Sequence, residues 1–230
     1  MPWNILIMIK LVVFDWNGVL IADAAATVAV DKEIFATFGH KPITMKTYRE
    51  IFTMPVKDFF LAAGFTKEEM ARNAVKIQEL FHSLYEPRIA KIRTRTGARE
   101  LLEYIRAKGI EAIILSNHTT EGIHSQLERL GIKKYFSRVI ANDKHVTMER
   151  KNKGDKLVEL VKASPYKKGE MIIIGDSPEE TEAGKRTGIA TVAITGGYYS
   201  TRRLRDAKPD HLINKLTDII SIIKRYNKGI

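Results

Sequence analysis

Three short, unbroken apolar runs, Leu11–Phe14, Ile113–Leu115 and Ile172–Ile174, each stop at polar residues: Asp15-Trp16-Asn17-Gly18, Ser116-Asn117-His118 and Gly175-Asp176-Ser177. Aliphatic runs without polar alternation suit strands buried on both faces, as in the middle of a parallel sheet. The segments between them have helical spacing. Ala98–Lys108 puts Leu101, Leu102 and Ile105 on one face and closes at Gly109, and Thr119–Leu130 closes at Gly131. A weaker strand, Phe136–Ala141, precedes a helix over Lys153–Lys162. The helix Pro178–Thr187 has Pro at its start and Gly188 past its end, and a strand over Ala190–Ile194 follows. Leu216–Tyr226 reads as the last helix. Single helices joining strands require right-handed crossovers, so the expected fold is α/β, a doubly wound parallel sheet.

Residues 22–95 interrupt this alternation. Val28–Phe38, Met45–Phe52, Val56–Ala63 and Lys67–Leu84 read as helices, with turns at Gly39–Pro42, Pro55 and Gly64 and no strand pattern between them. The expected organisation is a core made of residues 1–21 and 96–230, carrying an all-helical insert at 22–95. A chain of 230 residues is long enough for one core domain and a smaller insert.

Composition removes several function classes. The chain has no cysteine, which excludes disulfide scaffolds, Cys-ligated zinc, iron–sulfur clusters and a thiol nucleophile, and which suits a reducing cytoplasm. The apolar stretch from Ile5 to Phe14 is interrupted by Lys10 and has about half the length needed to span a bilayer, so no membrane partner is expected. With 38 Lys+Arg against 27 Asp+Glu, the net charge of +11 points to an anionic partner, a phosphorylated small molecule or nucleic acid. The run Arg202-Arg203-Leu204-Arg205, with Tyr198 and Tyr199 before it, reads as a solvated loop leading to a short helix, so nucleic acid is not the expected partner. Residues 129–168 alone hold 12 Lys+Arg against 4 acids, a local excess suited to steering a phosphorylated metabolite. A monomer or homodimer is expected.

Ligands of open parallel sheets bind beyond the carboxyl ends of the strands. Asp15, Ser116, Asp176 and a lysine, either Lys153 or its near rival Lys151, converge there if the three apolar strands are neighbours. A carboxylate nucleophile and a phosphate repel each other, so a divalent cation must lie between them, and Asp15 and Asp176 supply the hard oxygens that magnesium prefers. The lysine neutralises charge on the transferring group, while Ser116 and the amides after Asp15 donate to its oxygens. Gly18 lets the backbone turn tightly enough to present those amides.

Val12–Leu20 is similar to the first sequence motif of the haloacid dehalogenase (HAD) superfamily, Ile113–Asn117 to the second and Ile172–Gly184 to the fourth. In this order and at these spacings the resemblance spans nearly the whole chain. It implies a Rossmann-like core with a helical C1 cap inserted after the first strand. It also implies a Mg²⁺-dependent hydrolase that transfers the phosphoryl group of a small metabolite to Asp15. By position, Asn17 contributes its carbonyl to the metal, Asp176 is the second metal carboxylate and Glu180 the outer acidic position, with a plain first-turn helix acid as the other reading. Ser116, with Asn117 beside it, resembles the phosphate-binding pair, and Lys153 the lysine of the third motif. Trp16 is expected either to stack on substrate or to pack beneath the cap, and His118 to be an ordinary histidine.

One departure matters. The family's phosphatases carry a second aspartate two residues after the nucleophile as general acid and base, and here that residue is Asn17. General acid–base catalysis contributes about 10²–10⁴-fold, so a slow phosphatase, a substrate with a good leaving group or a different reaction is expected. Relatives that cleave C–P bonds also lack that aspartate and use a cap lysine; their Asp-Trp pair is similar to Asp15-Trp16, and Lys57 stands at the matching position. A catalytically weak binding or regulatory protein of the same fold is the alternative from another class.

Overall fold

The computed structural model describes residues 8–143 and 153–228. Its strands are β1 (Leu11–Phe14), β2 (Glu111–Thr119), β3 (Arg138–Asn142), β4 (Met171–Gly175), β5 (Ala190–Ile194) and β6 (His211–Ile213). Its helices are α1 (Ala24–Thr37), α2 (Met45–Ile51), α3 (Val56–Ala62), α4 (Lys67–Ile89), α5 (Ala98–Ala107), α6 (Thr120–Arg129), α7 (Lys153–Ala163), α8 (Pro178–Thr187), α9 (Thr201–Asp206) and α10 (Asp218–Tyr226). The strands form one parallel sheet in the order β3-β2-β1-β4-β5-β6.

The chain runs from β1 outward through β2 to β3, then crosses back past β1 to β4 and outward through β5 to β6, which makes the doubly wound sheet expected from the apolar runs. Phe14 pairs with Ile114 on one side and Ile174 on the other. The residues just past these positions, Asp15, Ser116 and Asp176, therefore rise from three adjacent strand ends. Side chains alternate between two cores, as the pleat requires. Val12 and Phe14 pack with α5, α6 and α10, whereas Leu11 and Val13 pack with Leu157 of α7 and Ala183 of α8. All four residues of β1 are at most 1% exposed, and each such burial contributes about 1.5–3 kcal/mol.

Helices α1 to α4 follow β1 consecutively. α1 packs on α2 and α4, and α3 on α4. Phe35, Phe59, Phe60 and Phe65 interlock between them, with ring centroids 5.0–6.0 Å apart.

Several boundaries differ from the sequence expectation. α1 begins at Ala24 instead of Val28, because an alanine run carries helix propensity without the apolar spacing that marks a buried face. α4 continues to Ile89, five residues past Leu84, with Pro87 inside it. A proline in the last turn deprives only one carbonyl near the helix end of its donor. β2 runs on through Ser116-Asn117-His118 with a shift of register against β3 between Leu115 and Thr119. The edge strand β6 was not expected.

The stretch from Tyr198 to Arg205 is also corrected: Tyr198 and Tyr199 are buried, at 8% and 6% exposed. Arg203 lies 4.4 Å from the Tyr199 ring centroid and donates to the carbonyls of Arg49 and Phe52. This clamps α2 to the segment after β5, while Arg202, paired with Glu50, and Arg205 stay on the surface.

Candidate active site

Asp15 follows β1 directly and is 5% exposed. Its Oδ1 accepts from Lys153 Nζ at 2.8 Å and from the Trp16 amide at 2.7 Å. Lys153 opens α7 and also donates to Glu180 Oε1 at 2.6 Å. Glu180 Oε2 in turn accepts from the amide and hydroxyl of Ser177, the N-cap of α8. The sequence produces this chain locally: Ser177-Pro178-Glu179-Glu180 is a capping box, and its glutamate reaches back to hold the lysine of the neighbouring helix.

Burial pushes the Asp15 carboxyl up to about 7, against the pull of Lys153. Burial, and then repulsion from Asp15 and Glu180, raises Asp176 well above the carboxylate range, while the Tyr198 amide 2.6 Å from its Oδ2 acts the other way. Burial opposes the charge on Lys153, but Asp15, Glu180 and Glu179 outweigh it and raise its pKa. Three buried carboxylates, Asp15, Asp176 and Glu180, thus share one place with a single buried ammonium.

A cavity of about 180 Å³ opens over these groups, lined by Asp15, Asn17, Ser116, Asn117, Lys153 and Asp176 among others. Ser116 is 1% exposed, and its Oγ accepts from the His118 amide at 3.1 Å, which leaves its hydroxyl proton to donate. Asn117 Oδ1 is buried without a hydrogen-bond partner among the described residues.

Four expected site residues do not line this cavity. The Trp16 ring is fully buried, and its indole N–H donates to Gln126 Oε1 at 2.8 Å, so it packs in the core and stacks on no ligand. Gly18 has φ +72°, and a Cβ there would stand 2.2 Å from Asp176 Oδ2, so this turn requires glycine. Its amide, however, goes to Asp23 Oδ1 at 2.8 Å, and that of Trp16 to Asp15, so neither is aimed at a phosphoryl group. Glu180 spends both oxygens on Lys153 and Ser177, and Glu179 lines the cavity in its place. Lys57 is half-buried on α3, outside the lining, although Met54 and Val56 belong to it. Lys151 lies outside the described residues.

Asp23 is the residue that sequence reasoning missed. It is 0% exposed, and its Oδ2 accepts from Asn17 Nδ2 at 2.7 Å, Tyr85 Oη at 2.8 Å and Tyr198 Oη at 2.6 Å. Asn17 Nδ2 also donates to Tyr85 Oη at 3.0 Å, so both amide protons are in use. Burial, then the charge of Asp23, raises the Tyr85 and Tyr198 hydroxyls well above their ordinary range. The one available signal was its place before an alanine-rich helix. As the N-cap of α1 its side chain makes no capping bond, because its oxygens already serve the four groups named above.

The remaining wall is aromatic, built by Tyr48, Phe52, Phe60, Phe81, Tyr85 and Tyr199. One acid stands in it: Asp31, 3% exposed, is pushed by burial up to about 8, with the nearby Tyr48 hydroxyl acting in the opposite direction. Among the described residues no lysine or arginine besides Lys153 lines the cavity. Among them also, no three His, Asp or Glu side chains are grouped to hold a metal ion, and no helix is long and apolar enough to cross a membrane.

Residues 12–194 match the sequence model of a family described as haloacid dehalogenase-like hydrolase. The chain is 24% identical over 212 residues to a phosphoglycolate phosphatase of Synechococcus elongatus, covering 92% of this chain and 96% of that protein. A phosphoglycolate phosphatase of Vibrio parahaemolyticus is likewise 24% identical, with 94% and 96% covered. Among solved structures, a hydrolase of the haloacid dehalogenase-like family from Streptococcus pneumoniae superposes with a TM-score of 0.75 at 20% identity, over 93% of this chain and 98% of that one.

Proposed function

This chain belongs to the haloacid dehalogenase-like hydrolases, and on that premise we propose a Mg²⁺-dependent phosphatase of a small phosphorylated metabolite, with Asp15 as nucleophile. The observation that carries the proposal is Asp15 itself, buried at a strand end beside Asp176 and Ser116, with one carboxylate oxygen fixed by Lys153 and the Trp16 amide. Fixing Oδ1 leaves Oδ2 for attack. The bond from Oδ2 to phosphorus forms as the ester P–O bond breaks, the alcohol oxygen leaves with the electron pair, and water then cleaves the aspartyl phosphate. Ser116 and Lys153 donate to the phosphoryl oxygens and hold the group in line.

The residues present fit the cation. Asp15 and Asp176 are two buried carboxylates that repel each other across one cavity. Magnesium is commonly held by one or two carboxylates, completed by water and substrate oxygens, so a third acid is not needed. Those two carboxylates and the backbone carbonyl of Asn17 would hold it. When bound, Mg²⁺ screens the repulsion between carboxylate and phosphate and neutralises developing charge.

Asn17 supplies no proton, and its two N–H groups are already spent on Asp23 and Tyr85. The leaving alcohol takes its proton from solvent, so turnover depends on how readily that oxygen departs. Residues 22–95 act as a cap over a core of residues 1–21 and 96–230, and close water out of the site. A cytoplasmic setting suits a cysteine-free chain.

The test is steady-state hydrolysis of p-nitrophenyl phosphate with and without Mg²⁺. Asp15→Asn is expected to reduce Mg²⁺-dependent turnover to background. Wild-type turnover at background, or an Asp15→Asn protein as active as wild type, would replace this reading with the binding or regulatory one.

A further inference from the structure

The half of the cavity built by α1, α2, α3 and α4 has a composition that a plain phosphate site does not call for. Asp31 of α1 lines it while buried, and no cation faces Asp31 among the described residues. The Tyr48 hydroxyl beside it is buried, also lines the cavity and is the polar group that Asp31 meets. Phe52 stacks on Tyr48 with ring centroids 4.9 Å apart, and the rings of Phe60, Phe81 and Tyr199 line the same cavity. A buried carboxyl that meets a hydroxyl but no counter-charge is costly to ionise unless a ligand supplies one. Aromatic faces beside an acid attract one class of ligand group in particular, a positively charged ammonium.

Resting on the phosphatase reading and naming its substrate class, we propose that the ester bound here is the phosphate of an amino alcohol, its ammonium group held by Asp31 and Tyr48 among the aromatic rings while its phosphate faces Asp15. Two further observations agree. Among the described residues Lys153 is the sole lysine or arginine in the lining, which otherwise offers only the imidazoles of His82 and His118, so an ester bearing a carboxylate on its alcohol finds no permanent cation on that side and meets Asp31 instead. The site also lacks the usual general acid, since Asn17 stands in its place. An ammonium close to the ester oxygen withdraws electron density and eases departure of that oxygen as an unprotonated alkoxide, so the same group that satisfies Asp31 lessens the need for an acid.

The experiment compares kcat/KM of the wild-type chain with Mg²⁺ for O-phosphoethanolamine, phosphocholine, ethyl phosphate and phosphoglycolate. The ammonium esters are expected to exceed ethyl phosphate by about tenfold or more, the factor that one desolvated cation–π contact or charge-assisted hydrogen bond contributes, and phosphoglycolate is expected to fall below ethyl phosphate. Asp31→Asn, nearly isosteric, is expected to bring the ratio of ammonium ester to ethyl phosphate close to one, chiefly through KM, and Tyr48→Phe to lower it part of the way. A preference for phosphoglycolate, or a ratio that survives in Asp31→Asn, overturns the assignment. Calorimetric titration with choline alone separates it from the phosphatase reading. If no ester is hydrolysed, the catalytic reading fails, and choline binding that is lost in Asp31→Asn still upholds the ammonium pocket. Absence of choline binding by the wild-type chain sinks the pocket whether or not esters are hydrolysed.

Discussion

On the proposed reading Asn17 puts a carboxamide where a phosphatase of this kind would use an acid, and Asp23 is the residue that meets it. The amide nitrogen stands 2.7 Å from Asp23 Oδ2. A carboxylate in its place would face another carboxylate, and two such groups so close do not both ionise. Asn17→Asp alone is therefore expected to lower Tm and to add little activity. Asn17→Asp combined with Asp23→Asn exchanges the two groups and keeps one negative charge, and the hydroxyls of Tyr85 and Tyr198 can rotate to suit. The double variant is expected to raise kcat on alkyl phosphates by about 10²–10⁴-fold. If it is no faster than wild type while Mg²⁺ dependence persists, the absent acid does not limit the rate. Asp15, Ser116, Lys153 and Asp176 were legible in sequence because each ends an apolar run or opens a helix. Asp23, Tyr85 and Tyr198 were not, because their pairing joins residues 62 and 175 positions apart.

Among the elements, α8 does most to organise the site, since its capping box holds Glu180, Glu180 holds Lys153 and Lys153 holds Asp15. Ser177 and Glu180 were readable as helix-start chemistry; that Glu180 reaches Lys153 depends on α7 packing against α8. These bonds suit a positioning role for Glu180 on the proposed reading, and Glu180→Gln should separate this role from metal ligation. It is expected to lower kcat by about tenfold, the effect of one weakened charge-assisted bond, with the Mg²⁺ concentration for half-maximal activity unchanged. A marked rise in that concentration would return Glu180 to the metal. Helix boundaries hid two site residues: Tyr85 lies beyond the predicted end of α4, and Asp23 before the predicted start of α1. β6, with three residues, is too short for periodicity to reveal and exists through its pairing with β5.

At the scale of the whole molecule, buried acids tie folding stability to pH. Asp31 is raised from the ordinary 3.8 to about 8 by burial, so the folded state holds its proton more tightly than the unfolded chain. Its contribution to stability is complete below about pH 3.8 and is lost as pH rises through about 8. The Tm of wild type is expected to fall relative to that of Asp31→Asn between pH 5 and pH 8.5, as measured by thermal unfolding; Asp15 and Asp176 titrate in both proteins and cancel in the difference. Parallel Tm curves would mean that Asp31 is not buried as described. The layered fold and the parallel sheet were determined by the sequence alone, because strand and helix periodicity and the residues that end each run are properties of neighbours along the chain; the convergence of Asp15, Ser116 and Asp176 was conditional on β2, β1 and β4 being adjacent, which the strand order supplies. Only the tertiary structure decided that Trp16 packs away from the site, that Glu180 holds a lysine, that Asn17 is bound to Asp23, and that Asp31 stands among aromatic rings. A buried polar group takes its role from whatever distant segments bring within about 3 Å of it, and no local pattern records that.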